Sequence, residues 1–156
     1  MCQYCGCREM PLIRDYIAEH ERSVDHGREA VRALDRGELD VARRRLAAMF
    51  EELRSHWQGE ENGLFAVMHR DELYAEHIDP LVTEHRELAA FLEKADLADP
   101  DDQARFREAV EELYEHIAKE EDGLFPASLT ALDGADWDAA MAGWREAHPG
   151  REMIQG

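Results

Sequence analysis

The sequence predicts an all-α fold: an up-down-up-down four-helix bundle with a short C-terminal helix and a Cys-rich N-terminal tail. Three observations carry this expectation. Apolar residues recur at helical spacing along most of the 156 residues. Gly and Pro fall between these periodic stretches, and no stretch alternates with the period of two that a strand requires. A segment also recurs within the chain, dividing it into two equivalent helix pairs.

The first helix is expected from Pro11 to Leu34, where Leu12, Ile13, Tyr16, Ile17, Val24, Ala30, Val31 and Leu34 form one face and Arg36-Gly37 ends it. A second begins after Gly37 and carries Val41, Leu46, Met49, Phe50, Leu53 and Trp57. It is expected to kink or cap at Asn62-Gly63 and to tail off through Leu64, Phe65 and Met68. Arg70 to Pro80 reads as a connection. A third helix is expected to start near Pro80, a residue suited to a first turn, and to run to about Leu97. The fourth is expected from Ala104 to Glu121, with Pro126 and Asp133-Gly134 closing the bundle. A short helix with Trp137, Met141 and Trp144 then packs across it. The expected division is a tail over 1–9, a bundle over 10–126 and an extension over 127–156.

Composition narrows the function. Apolar residues make up 44% and charged residues 35%, the balance of a folded domain rather than a disordered chain. Acidic residues outnumber basic ones 36 to 18, which argues against nucleic acid or an anionic membrane as partner. No apolar run reaches the length of a membrane span. The first residues lack the basic and apolar regions of a secretory signal, so a cytoplasmic location is expected, where thiols stay reduced.

The repeat carries the chemistry. His56-Trp-Gln-Gly-Glu60-Glu61-Asn-Gly-Leu-Phe recurs as His116-Ile-Ala-Lys-Glu120-Glu121-Asp-Gly-Leu-Phe, and Ile17-Ala-Glu-His20 is echoed by Val82-Thr-Glu-His85. Residues four apart on a helix are about 40° apart around its axis, so His56 and Glu60 point the same way, as do His116 and Glu120. Glu61 and Glu121 are turned by about 100° and are poor direct ligands. All four histidines lie on or beside apolar stripes, where a carboxylate is costly unless paired or metal-bound. One His-x-x-x-Glu is commonplace in an acidic helical protein; two in register with two further histidines are not. Two metals are therefore expected, each on two imidazoles, with both carboxylates bridging. This donor set suits iron or manganese without excluding zinc. His26, His69, His77 and His148 have no such pairing and are expected on the surface or in loops.

The order His, His-x-x-x-Glu, His, His-x-x-x-Glu resembles the hemerythrin-like (HHE cation-binding) domain family, over about residues 11 to 126. The resemblance rests on His20, His56, Glu60, His85, His116 and Glu120. It implies a carboxylate-bridged di-iron (Fe) centre, usually also bridged by an oxo or hydroxo group. Oxygen carriers of that family have a second histidine four residues along the third helix, where this chain has Ala89, and His-x-x-x-x-Asp on the fourth. The missing ligand leaves an open or water-filled position, or room for another residue such as a tyrosine, and argues against simple oxygen carriage. Ferritin-like sites need Glu three residues before the histidine, but Ile17, Leu53, Val82 and Leu113 stand there. A zinc-protease motif fails because Val24 follows His20-Glu21 at the required spacing.

The expected function is a di-iron oxidoreductase of peroxidase, nitric oxide reductase or oxygenase type, binding and reducing oxygen, nitric oxide or hydrogen peroxide, with a redox partner. A sensor that changes shape without turnover and an oxygenase acting on an organic substrate are the alternatives. Tyr16 and Tyr114 are candidates to stand behind the ligands or to act as radical sources, with core packing the competing role. Cys2, Cys5 and Cys7 could bind a soft metal, form a reversible disulfide or relay electrons, against the alternative of incidental thiols on a tail. His20 would lie about 15 Å along a helix that starts near residue 10, and a seven-residue tail spans about 23 Å. The thiols are thus within reach to tune, gate or reduce the metals.

Overall fold

The computed structural model of the chain describes residues 7–154. Cys2 and Cys5 lie outside the described residues, and Cys7 is described only as the backbone start of a 3-10 turn, Cys7–Glu9. Every element among the described residues is helical: α1 Ile13–Asp35, α2 Leu39–Asn62, α3 Leu64–Met68, α4 Glu72–Lys94, α5 Pro100–Lys119, a π turn Glu120–Leu124, α6 Phe125–Ala131 and α7 Gly134–Ala147. None is long and apolar enough to cross a membrane.

The four long helices alternate in direction. His20 stands about two turns into α1 and His56 close to the end of α2, and their rings meet at 4.5 Å. The two helices therefore run antiparallel through the turn at 36–38, where Gly37 takes φ 72°, a conformation glycine adopts without a Cβ clash. His85 and His116 meet at 4.7 Å in the same way across the turn between α4 and α5.

Three boundaries differ from expectation. The segment Arg70–Pro80 is not a connection. Asp71 caps α4 by accepting the Leu73 N–H at 2.9 Å, so the helix starts eight residues ahead of Pro80 and the proline lies inside it. An interior proline costs about 3 kcal/mol. Burying Ile78 and Leu81, 1% and 4% exposed, offsets this at about 1.5–3 kcal/mol per side chain. Nor does Pro126 end the bundle: it sits in the first turn of α6, where its missing N–H leaves no bond unmade. The fourth helix begins at Pro100, capped by Asp99, rather than at Ala104.

The expected break at Asn62-Gly63 is present, and close backbone approach explains it. A Cβ on Gly63 would lie 2.5 Å from the Gly59 carbonyl oxygen and 2.7 Å from that of Ala140. On the facing helix, a Cβ on Gly143 would come within 2.1 Å of the Asn62 carbonyl oxygen. Two glycines thus let α7 seat its backbone on the α2–α3 junction. Trp144 is buried there, beside Tyr16, Leu64 and Phe125, in an apolar cluster that closes the end where α1 starts. A second cluster, with Met49, Leu53, Phe106 and Leu113, fills the rest of the bundle. The conserved spacing of the repeat places its histidines and glutamates between them.

Candidate metal centre

Two carboxylates lie at the centre of the bundle, and neither is exposed: Glu60 from α2 and Glu120 at the start of the π turn. Four imidazole Nε2 atoms converge on them. His20 Nε2 is 2.9 Å from Glu120 and 3.9 Å from Glu60; His56 Nε2 is 3.2 Å from Glu60. His85 Nε2 is 3.4 Å from Glu60 and 3.8 Å from Glu120; His116 Nε2 is 3.0 Å from Glu120. The donors form two overlapping groups, His20, His56, Glu60, Glu120 and Glu60, His85, His116, Glu120, each with its ligand atoms within 4.8 Å of one another. Either group could hold a metal ion, and the two carboxylates are common to both. The six residues that the repeat singles out are thus brought together.

Each ring is fixed from behind. Glu19 faces His56 Nδ1 at 2.7 Å, Glu84 faces His116 at 2.8 Å, Glu61 faces His85 at 3.0 Å and Glu121 faces His20 at 2.7 Å. A carboxylate only accepts, so each Nδ1 carries the proton and donates, which turns the Nε2 lone pair inward. Rings hold the planes as well: Trp57 and Phe65 stack on His85 at 5.0 and 5.8 Å, and Phe125 stacks on His20 at 5.9 Å. The model of the hemerythrin HHE cation-binding domain matches residues 12–128.

The chain belongs to the hemerythrin HHE family.

No curated protein and no solved structure matched the chain. The buried polar atoms of its HHE domain could also be satisfied by a cation. Both oxygens of Glu60, Oε2 of Glu120 and Nε2 of His56 are buried with no hydrogen-bond partner among the described residues. Unmet buried polar atoms of this kind are costly, and a cation shared among them removes the cost. The Nε2 atoms of His85 and His116 face each other at 3.0 Å. With both Nδ1 atoms protonated, two lone pairs meet there unless a proton or a metal takes them.

The electrostatics of the HHE domain concentrate on the same groups. Burial, and then the charge of Glu120, push the Glu60 carboxyl well above the usual carboxylate range. Burial opposes charge on Glu120 too, but His116, His20 and His85 outweigh it and hold Glu120 well below that range. Against its own burial, His116 is raised to about 9 by the charge and hydrogen bond of Glu120. His85 and His20 are also raised, despite burial, by hydrogen bonds to Glu120 and to Glu61 or Glu121. Positive charge on the imidazoles thus favours the ionised form of Glu120.

Sequence reasoning missed several residues. His148, expected on the surface or in a loop, does lie just beyond the end of α7 but is 2% exposed; it stacks on Trp144 at 4.1 Å and reaches Glu19 at 3.2 Å. Trp144 donates to the same carboxylate oxygen at 2.9 Å. Against burial, His148 and His56 hold Glu19 far below the carboxylate range. The sequence signal for Glu19 and Glu84 is the repeated Glu-His pair, Glu19-His20 and Glu84-His85. Glu61 and Glu121 lie outside both donor groups and face the Nδ1 atoms of His85 and His20 instead. His69 and His77 are exposed and His26 is half-buried, as expected. Tyr16 lies edge-on to His56 at 5.7 Å, donates to the Gly59 carbonyl at 2.8 Å and accepts the Leu64 N–H at 3.3 Å. Tyr114 is half-buried and packs against the distal apolar cluster, with Arg28 over its ring at 5.6 Å.

Proposed function

We propose that this HHE domain holds two iron ions and binds and reduces a small ligand, oxygen, nitric oxide or hydrogen peroxide. His20 and His56 would hold one ion, His85 and His116 the other, with Glu60 and Glu120 bridging. The observation that carries this reading is the convergence of four back-supported Nε2 atoms on two shared, fully buried carboxylates. Imidazole and carboxylate together suit a metal that changes oxidation state. Two imidazoles per ion leave coordination sites free, since Ala89, one turn beyond His85, packs against apolar side chains and offers no donor.

Two iron ions would supply the electrons for reducing the ligand. The protein's share is orientation and exclusion of water. Hydrogen bonds from Nδ1 to carboxylate keep each ring in place and raise the basicity of Nε2. The apolar clusters on either side keep bulk water from the bridging carboxylates.

Metal analysis of the purified protein, with optical spectra before and after addition of oxygen, hydrogen peroxide and nitric oxide, tests the proposal. Two irons per chain and catalytic consumption of one of these ligands are expected. Fewer than two metals per chain refutes the dinuclear reading, and zinc without a redox-active spectrum points to a structural role. A spectral or shape change without turnover favours the sensor over the enzyme.

A further inference from the structure

The four carboxylates behind the imidazoles are unequally buried, and the inequality separates the two halves of the centre. Glu19 and Glu121, which support His56 and His20, have side chains 2% and 12% exposed. Glu61 and Glu84, which support His85 and His116, are 34% and 36% exposed. The bundle is nearly twofold in its repeat, so it does not itself produce this difference.

Segments at the two ends of the chain do. Arg8 pairs with Glu121 at 2.8 Å. Trp144 and His148 together occupy the Glu19 oxygen that His56 does not. The C-terminal stretch is tied down in turn, with the Ile154 N–H donating to Asp15 at 2.8 Å. Residues 8, 144 and 148 all lie outside the 12–128 stretch that matches the family. His148 Nδ1 faces the Trp144 carbonyl at 2.7 Å while Nε2 faces Glu19. His148, 2% exposed, is thereby held between the Trp144 carbonyl and the Glu19 carboxylate.

Among the described residues, the opposite half has no such cover. Glu84 is paired with exposed Lys119 at 2.6 Å. A cavity of about 210 Å³ between α4 and α5, bounded by Trp57, Glu84, Leu88 and Leu113, reaches His85 and His116.

We propose that the terminal segments lock the metal position formed by His20 and His56, and that metal exchange and small-ligand approach occur at the His85–His116 position through the α4–α5 cavity. This rests on the two-metal reading above. A carboxylate open to water trades its hydrogen bond with solvent and lets its imidazole swing off the metal. One held by several buried donors does not. Loss of such support typically costs 10–100-fold in metal affinity.

The test is anaerobic loading with two equivalents of ferrous iron, followed by rapid mixing with excess colour-forming chelator. Two release phases of one equivalent each are expected, at least about tenfold apart in rate. His148→Gln should speed the slow phase about 10–100-fold and leave the fast one unchanged. Arg8→Ala, which acts on Glu121 from the other terminus, should act on the same phase and serves if the first variant does not fold. For the ligand, Leu88→Trp, folded by circular dichroism, should slow azide association with the diferric protein several-fold. A single release phase of two irons in the parent protein, or equal acceleration of both phases in the variants, overturns the lock. An unchanged azide rate overturns the route. Failure to retain two irons at all is separate, because it defeats the metal centre itself.

Discussion

Replacing Glu60 by Gln should stabilise the metal-free protein while destroying its capacity for two metals. Burial and the charge of Glu120 raise the Glu60 carboxyl above its ordinary value of 4.5, so the native state resists its ionisation. The sign follows from linkage. Below pH 4.5 the group is protonated in both folded and unfolded chains, and no penalty arises. As pH rises from 4.5 towards the folded value the unfolded chain gives up its proton first, and the folded state loses about 1.4 kcal/mol per pH unit. At pH 7 the penalty is therefore at most about 3 kcal/mol. Gln has the shape of the protonated acid and pays none of it. At about 2–4 °C per kcal/mol for a chain of this size, the metal-free variant should melt several degrees higher than the parent at pH 7. The gain should vanish near pH 4. Thermal unfolding followed by circular dichroism with and without chelator measures it, and metal added to the variant should stabilise it less than it stabilises the parent. A metal-free Glu60→Gln protein that melts below the parent at pH 7 would refute the argument that this carboxylate is buried uncompensated.

Three further outcomes follow from the same structure. Raising His116 from 6.5 to about 9 adds stability to the metal-free protein that is fully present below pH 6.5 and lost as pH climbs to 9, on the order of 3 kcal/mol. Urea unfolding at pH 6 and pH 9 should show that loss, whereas metal affinity should rise over the same range because the imidazoles must shed protons to ligate. Gly143→Ala should destabilise by about 1–3 kcal/mol, since its Cβ would meet the Asn62 backbone. Gly134→Ala, with no atom within 4 Å of the added carbon, should be close to neutral in the same unfolding assay. Tyr16→Phe should cost about 1–3 kcal/mol by leaving the Leu64 N–H and Gly59 carbonyl short of a partner, yet bind as much metal as the parent. A large loss of metal would show that Tyr16 does more than brace the α2–α3 junction.

Periodicity alone was sufficient for the helical class, because a stripe at 3.6-residue spacing has no other efficient way to be buried. The six donors were legible for a related reason: the i, i+4 spacing and the duplicated segment are facts of one dimension that a helix converts into a shared direction. A proline suits a first turn, which placed the start of α4 at Pro80, but the Asp71 cap and the burial of Ile78 and Leu81 set it eight residues earlier. Tertiary structure alone decided what stands behind the ligands. Glu19 meets Trp144 and His148 across separations of 125 and 129 residues, and no local pattern encodes a contact that depends on where α7 docks. The likeness of the two halves is written in the repeat. Their inequality arises from packing, because only one half lies beneath Arg8 and α7, and burial rather than ligand identity separates them.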